Sequence, residues 1–210
     1  MGQLLYIQAS PRGDRSYSVS AAHAFIDAYR SAHPDDMVTT LDVFERDLPP
    51  FDGFMLQAKY TVLHGASPTG EERAAWDQVT AIVDEFKAAD RYLIATGMWN
   101  FSIPYRLKQY LDIIVQPGLT FTYSAERGYQ GMVTGKPLAL ICARGGEYPP
   151  GTPGAALDFQ RPYLETVLRF IGFEGIRTVV IEPTLMGGQE AAERARSSAL
   201  ARAAELGAEI

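Results

Sequence analysis

The chain has a single cysteine, Cys142, among 210 residues. No intramolecular disulfide can form, so the fold does not depend on an oxidising compartment. Histidine is nearly as scarce. His23, His33 and His64 stand far apart without zinc-ligand spacing, and no metal site is expected. No apolar run approaches the ~20 residues of a membrane-spanning helix. The first apolar stretch is short and soon followed by Asp14 and Arg15, unlike a secretory signal. Positive charge is also lacking. Nineteen Lys and Arg against 25 Asp and Glu leave a net charge of −6, which argues against nucleic acid or an anionic membrane as partner. Neither GxGxxG nor a Walker loop occurs, which disfavours a dinucleotide pyrophosphate or a nucleoside triphosphate held in the usual way. No Ser-His-Asp set and no carboxylate pair is found. What remains is a cytoplasmic domain over residues 1–210 that binds something or works through a cofactor.

An apolar fraction of 47% and a charged fraction of 21% suit a packed globular domain. Short apolar runs without polar alternation read as buried strands at Gln3–Ala9, Met37–Val43, Arg91–Thr96, Pro137–Ala143 and Ile176–Ile181. Helical spacing separates them. Ala22, Phe25, Ile26 and Tyr29 form one stripe, Ala75, Val79, Ile82, Val83 and Phe86 a second, and Leu107, Tyr110, Leu111 and Ile114 a third. Leu157, Leu164, Leu168 and Ile171 mark a fourth helix, and Gln189–Leu206 an Ala-rich fifth. Thr69 to Glu72 has the spacing of a capping box, and Pro104 fits a first helical turn. Residues 44–69 show no period, so this long connector is either a cover over a site or a partly structured insertion. Leu119–Ser124 reads as a short extended piece near a glycine-rich turn. The alternation predicts an α/β flavodoxin-like three-layer sandwich with a five-stranded parallel sheet in the order 2-1-3-4-5.

In that order the chain reverses direction between strands 1 and 3, and the crevice beyond their C-terminal ends is where such sheets bind ligands. Three unusual loops fall there. The first, Ser10-Pro-Arg-Gly-Asp-Arg-Ser16-Tyr17-Ser18, runs into a helix start. Hydroxyls and free amides at the positive helix end suit a phosphomonoester, although an ordinary cap by Ser18 explains the pattern as well. The second, Met98-Trp99-Asn100-Phe101, sets large apolar side chains beside an amide, as if to flank a flat ring. Core or interface packing is the simpler reading of either aromatic taken alone. The third, Ala143-Arg144-Gly145-Gly146, leaves room for close backbone approach, though a plain turn would look the same. Cys142, inside a strand, reads as an inert buried thiol.

Taken in order, these loops resemble those of the FMN-dependent NADH:quinone oxidoreductases, also called FMN-dependent NADH-azoreductases. Further matching stretches are Leu107 to Tyr110, Gly118 to Tyr123, Gly131 to Lys136, Pro162 to Leu164 and Phe170 to Gly172, so the likeness spans nearly the whole chain. It implies a homodimer with one FMN per subunit at the interface. Ser10, Ser16, Tyr17 and Ser18 would hold the phosphate. Met98, Trp99, Asn100 and Phe101 would meet the isoalloxazine, and Ala143, Arg144, Gly145 and Gly146 its pyrimidine edge. Phe121, Tyr148 and Phe170 would line the substrate pocket. The chemistry implied is a ping-pong transfer of two electrons from NADH through flavin N5 to quinones or aromatic azo compounds, with no catalytic side chain required. Relatives often carry Ser where Ala143 stands, Tyr at Trp99 and His at Tyr148. A flavodoxin-type electron carrier without its own small-molecule acceptor is the alternative.

Overall fold

A computed structural model describes residues 1–210. Strand β1 (Gln3–Ala9) sends alternate side chains to opposite faces. Leu4 and Tyr6 enter one core layer and Leu5 and Ile7 the other, which is why the run lacks polar alternation. Around it lie β2 (Met37–Asp42), β3 (Arg91–Gly97), β6 (Leu138–Ala143) and β7 (Arg177–Ile181), all parallel, in the order β2-β1-β3-β6-β7. This is the expected 2-1-3-4-5 arrangement.

Helices α1 (Tyr17–Ala32) and α6 (Gly188–Glu209) cover one face, where Phe25, Tyr29, Ala203 and Leu206 meet Leu93 and Ile141. Helices α3 (Gly70–Ala88), α4 (Tyr105–Ile114) and α5 (Arg161–Phe170) cover the other with Val83, Phe86, Leu107, Tyr110, Leu164 and Leu168. Gly207 lets α6 press on α1: a Cβ there would stand 2.1 Å from the Phe25 carbonyl oxygen. Thr69 and Glu72 form both halves of the anticipated capping box. Burial pushes the Cys142 thiol up to about 12, as an inert thiol requires.

Four local expectations need correction or refinement. The connector 44–69 is partly structured, containing α2 (Gly53–Leu63) capped by Asp52. Phe54, Leu56, Tyr60 and Leu63 on α2 are exposed and only Met55 and Ala58 are buried, so the sequence has no one-sided stripe to reveal it. Leu157 is not on α5. It ends a short 3₁₀ turn, 43% exposed, while Asp158 accepts from the Gln160 and Arg161 amides and starts the helix later. Pro104 precedes α4 as its cap rather than lying in its first turn. The extended piece after α4 is one arm of a hairpin, β4 (Phe121–Ser124) with β5 (Gly128–Gly131).

Candidate active site

The three loops leave neighbouring strand ends. Ala9 of β1 pairs with Thr96 of β3, and Gly97 of β3 with Ala143 of β6. Thr96 Oγ1 lies 3.2 Å from the Gly97 carbonyl, and the Met98 amide donates to the Ala143 carbonyl at 2.8 Å, which ties the second loop to the third.

In the first loop Ser10, Ser16 and Ser18 are all buried. The helix cap is Ser16, not Ser18: its Oγ accepts from the Val19 amide at 3.4 Å and stands 3.0 Å from Ser18 Oγ. The amides of Tyr17 and Ser18 donate to no acceptor in the chain. The hydroxyls of Ser16 and Ser18 and two unspent amides stand at the positive end of a 16-residue helix, donors of the kind a phosphate would need. Tyr17 is half-buried beside them.

The second loop is strained. Asn100 (φ 47°) and Phe101 (φ 68°) are consecutive left-handed residues, and Trp99 and Ser102 exchange both backbone hydrogen bonds at 2.9 Å. That is a two-residue turn of the I′ kind. A bulky aromatic in left-handed geometry costs about 1–2 kcal/mol. Trp99 and Phe101 are 40% and 44% exposed, so neither packs in the core of the subunit. Met98 is half-buried. Trp99 lies 5.8 Å from the Phe44 ring, which belongs to the connector. With Ile103, Tyr105, Lys108 and Tyr163 it lines a cavity of about 600 Å³ with mostly apolar walls.

The third loop carries a buried cation. Arg144 is 3% exposed. Its Nε donates to Gln160 Oε1 at 3.2 Å and its Nη1 to Glu182 Oε2 at 3.3 Å, while Nη2 makes a charge contact with Asp158 Oδ2 at 2.8 Å, out of hydrogen-bond alignment. Glu182 also accepts from the Tyr148 amide, and the Phe159 amide donates to the Phe101 carbonyl at 2.9 Å. The guanidinium therefore fastens the Gly145–Gly146 turn to the segment that pins the Phe101 turn. Its side chain faces Asp158, Gln160 and Glu182, so the donors this loop offers a ligand are backbone ones. The Gly145 and Gly146 amides are unspent. A Cβ on Gly145 would stand 3.1 Å from Leu185 Cδ1, so the glycine makes room for the turn that follows β7. Asp158, Gln160 and Glu182 went unnoticed in the sequence because Arg144 meets its partners across distant stretches of chain, with no local spacing to mark them.

Tyr148 is half-buried with its ring 5.7 Å from the Arg144 guanidinium. Phe121 and Phe170 meet each other at 4.7 Å beside Tyr129, where the hairpin packs on α5. Neither lines the Trp99 cavity of the same subunit.

The comparisons with known proteins bear on the fold and the family. The profile of the flavodoxin-like fold family matches residues 2–206. An FMN-dependent NADH:quinone oxidoreductase of Nitratidesulfovibrio vulgaris is 53% identical over 210 residues, covering all of both chains. The chain belongs to this family. Among solved structures, an azoreductase from Bacillus anthracis superposes with a TM-score of 0.92 at 30% identity over the full length of both chains. An FMN-dependent NADH-azoreductase of the same organism, solved in complex with FMN, gives 0.86 at 26% identity, covering 99% of this chain and 100% of its own. The flavodoxin-like fold and the family inferred from the three loops are thus both established.

Proposed function

We propose that the chain is an FMN-dependent oxidoreductase that transfers two electrons from NADH to quinones and reductively cleaves aromatic azo compounds by a ping-pong cycle. The observation that carries this reading is the meeting of three loops at one sheet edge, with a phosphate cradle at one end and unspent amides at the other. The residues fit FMN. Ser10, Ser16, Ser18 and the Tyr17 and Ser18 amides would take its phosphate. The Met98–Phe101 turn would meet the ring, and the Gly145 and Gly146 amides would donate to the pyrimidine oxygens, where reduction concentrates negative charge. Bound FMN would supply the two-electron relay. The side chains bind, orient and exclude water. No protein nucleophile or metal is needed.

Arg144 holds the second and third loops in a fixed relation, which keeps the donors aimed before substrate arrives. The apolar cavity beside Trp99 suits a flat acceptor, and supports an enzyme over a carrier that meets only a protein partner. Phe121, Tyr148 and Phe170 would complete the acceptor pocket in a homodimer, since aromatic groups left exposed near the site call for a covering subunit. Trp99, Phe101, Phe159, Leu185 and Met186 are all exposed, as are Phe54, Leu56, Tyr60 and Leu63 on α2. No helix is long and apolar enough to cross a membrane. The test is direct. Protein reconstituted with FMN should be yellow, elute as a dimer, and oxidise NADH with benzoquinone or an azo dye. Colourless protein that stays inactive after FMN is added would refute the reading.

A further inference from the structure

The connector that leaves β2 begins beside the Trp99 cavity, and side chains from two directions hold its first turn. Asp42, at the end of β2, accepts from the Phe44 amide at 2.8 Å and from Gln8 Nε2 of β1 at 2.6 Å. From the other direction comes α4. Arg106 Nε donates to the Val43 carbonyl at 2.7 Å, its Nη2 to the Arg46 carbonyl, and its Nη1 to Gln109 Oε1 at 2.9 Å. Gln109 Nε2 in turn reaches the Pro49 carbonyl at 3.1 Å. Each acceptor of Arg106 is a neutral oxygen, and two of them are backbone carbonyls on either side of Phe44. A guanidinium presents its donors as a rigid fork, so gripping both carbonyls sets the orientation of the turn between them. That turn carries one ring. Phe44 is half-buried, 5.8 Å from Trp99 and 6.0 Å, edge-on, from Tyr105, and those two rings stand 6.3 Å apart. Trp99 and Tyr105 line the cavity and Phe44 does not, so Phe44 supports two of its walls from outside the lining. Trp99 and Tyr105 are otherwise exposed, and the rest of the fold confines them little.

We propose that Phe44 and Arg106 are positioning residues for the electron acceptor. Arg106 sets the Phe44 turn, Phe44 sets the Trp99 and Tyr105 side chains, and the spacing of those two walls decides which flat acceptors the cavity admits. The proposal rests on the function proposed above and names the residues that shape its acceptor site. Neither residue lines the cavity; both act through Trp99 and Tyr105. The backbone of the Trp99 turn is already fixed by its own paired hydrogen bonds and by the Phe159 amide, so what remains to be set is the rotamer of the indole. A neighbouring ring at this distance favours tilted and edge-on arrangements over others, and Phe44 supplies that contact. Without it the indole is free to swing across the cavity. Arg106 acts at one remove. Without it the Val43 and Arg46 carbonyls lose their donors, the turn loosens and Phe44 withdraws. Because the partners of Arg106 are all neutral, replacing it leaves no unpaired charge behind, and the fold survives the change.

The experiment uses FMN-loaded protein labelled with 5-fluorotryptophan. The chain has two tryptophans, Trp76 and Trp99, so the fluorine spectrum holds two signals, assigned with Trp76→Phe. Phe44→Ala, Phe44→Leu, Arg106→Met and Arg106→Lys are compared with wild type, and Arg46→Ala is the control because Arg106 uses only its carbonyl. Acceptor KM and kcat are measured with benzoquinone and with a two-ring naphthoquinone. Flavin reduction by NADH, FMN affinity and the melting temperature are measured separately. Phe44→Ala and Arg106→Met should each move the Trp99 signal, leave the Trp76 signal in place and change the naphthoquinone KM by about fivefold or more. FMN affinity and the rate of flavin reduction should stay within about twofold of wild type. Phe44→Leu and Arg106→Lys should recover part of the loss, and Arg46→Ala should change neither signal nor KM. The Phe44→Ala/Arg106→Met double variant should match Phe44→Ala within about twofold, since both changes act through one ring. An unmoved Trp99 signal or an unchanged KM in both single variants overturns the proposal, whatever happens to the melting temperature. KM changes that multiply in the double variant overturn it too. Wild-type protein that binds FMN yet oxidises no NADH with either quinone overturns the functional reading, and the acceptor role of both residues with it; an active wild type with unaltered variants overturns this inference alone.

Discussion

Ser16 serves two purposes, and they can be separated. Its hydroxyl caps α1 through the Val19 amide and belongs to the proposed phosphate site. Aspartate is as good a cap as serine, so Ser16→Asp should leave the melting temperature nearly unchanged while its charge expels the phosphate. FMN affinity should fall by about 100-fold or more, read by fluorescence quenching beside a thermal melt. Arg144 was visible in the sequence as part of a motif, but its role was not. Its carboxylates come from a turn before α5 and from the end of β7, and only the folded chain brings them to it. Arg144→Met would leave Asp158 and Glu182 facing each other unpaired. It should cost about 3–5 kcal/mol in urea unfolding, with Arg144→Lys recovering part of the loss. The exposure of Trp99 was likewise hidden. A large aromatic usually signals a core, and only the paired left-handed residues Asn100 and Phe101, which composition does not announce, turn it outward.

At the scale of elements, the parts most legible in the sequence are those with one buried face. The stripes of α1 and α4 and the five central strands agree with it to within a residue or two, because burial on one side imposes a period. Helix α2 is the converse case. Its apolar residues point largely outward, and its period dissolves. The site loops were legible for another reason: strand order alone puts the ends of β1, β3 and β6 side by side. The packing of α6 on α1 allows a sharper test. Gly207→Ala would drive a methyl into the Phe25 carbonyl, and overpacking of this kind costs about 1–3 kcal/mol. Chemical denaturation should show that loss, with far less from Gly70→Ala at the exposed start of α3, where a Cβ meets nothing within 4 Å.

For the whole molecule, acid is the expected weakness. The Gly2 amide, Tyr29 hydroxyl and Arg91 guanidinium around Asp36 hold its carboxyl below its ordinary 3.8. The Thr69 amide does the same for Glu72, below 4.5, with help from Gln57. Between the lowered and ordinary values the unfolded chain binds protons that the folded chain refuses. The stabilisation is therefore complete above the ordinary values and is lost as pH falls through the lowered ones. Urea midpoints should drop between about pH 5 and pH 3, and Asp36→Asn should flatten that slope. The most direct test of the central claim is an anaerobic titration. Purified protein is loaded with FMN, freed of unbound flavin and reduced stepwise with NADH while its visible absorbance is followed. The expected result is retained flavin that bleaches fully with about one NADH per FMN and recovers its colour on adding benzoquinone. Protein that retains no flavin, or bound flavin that NADH leaves yellow, would contradict the convergence of these three loops on a working cofactor.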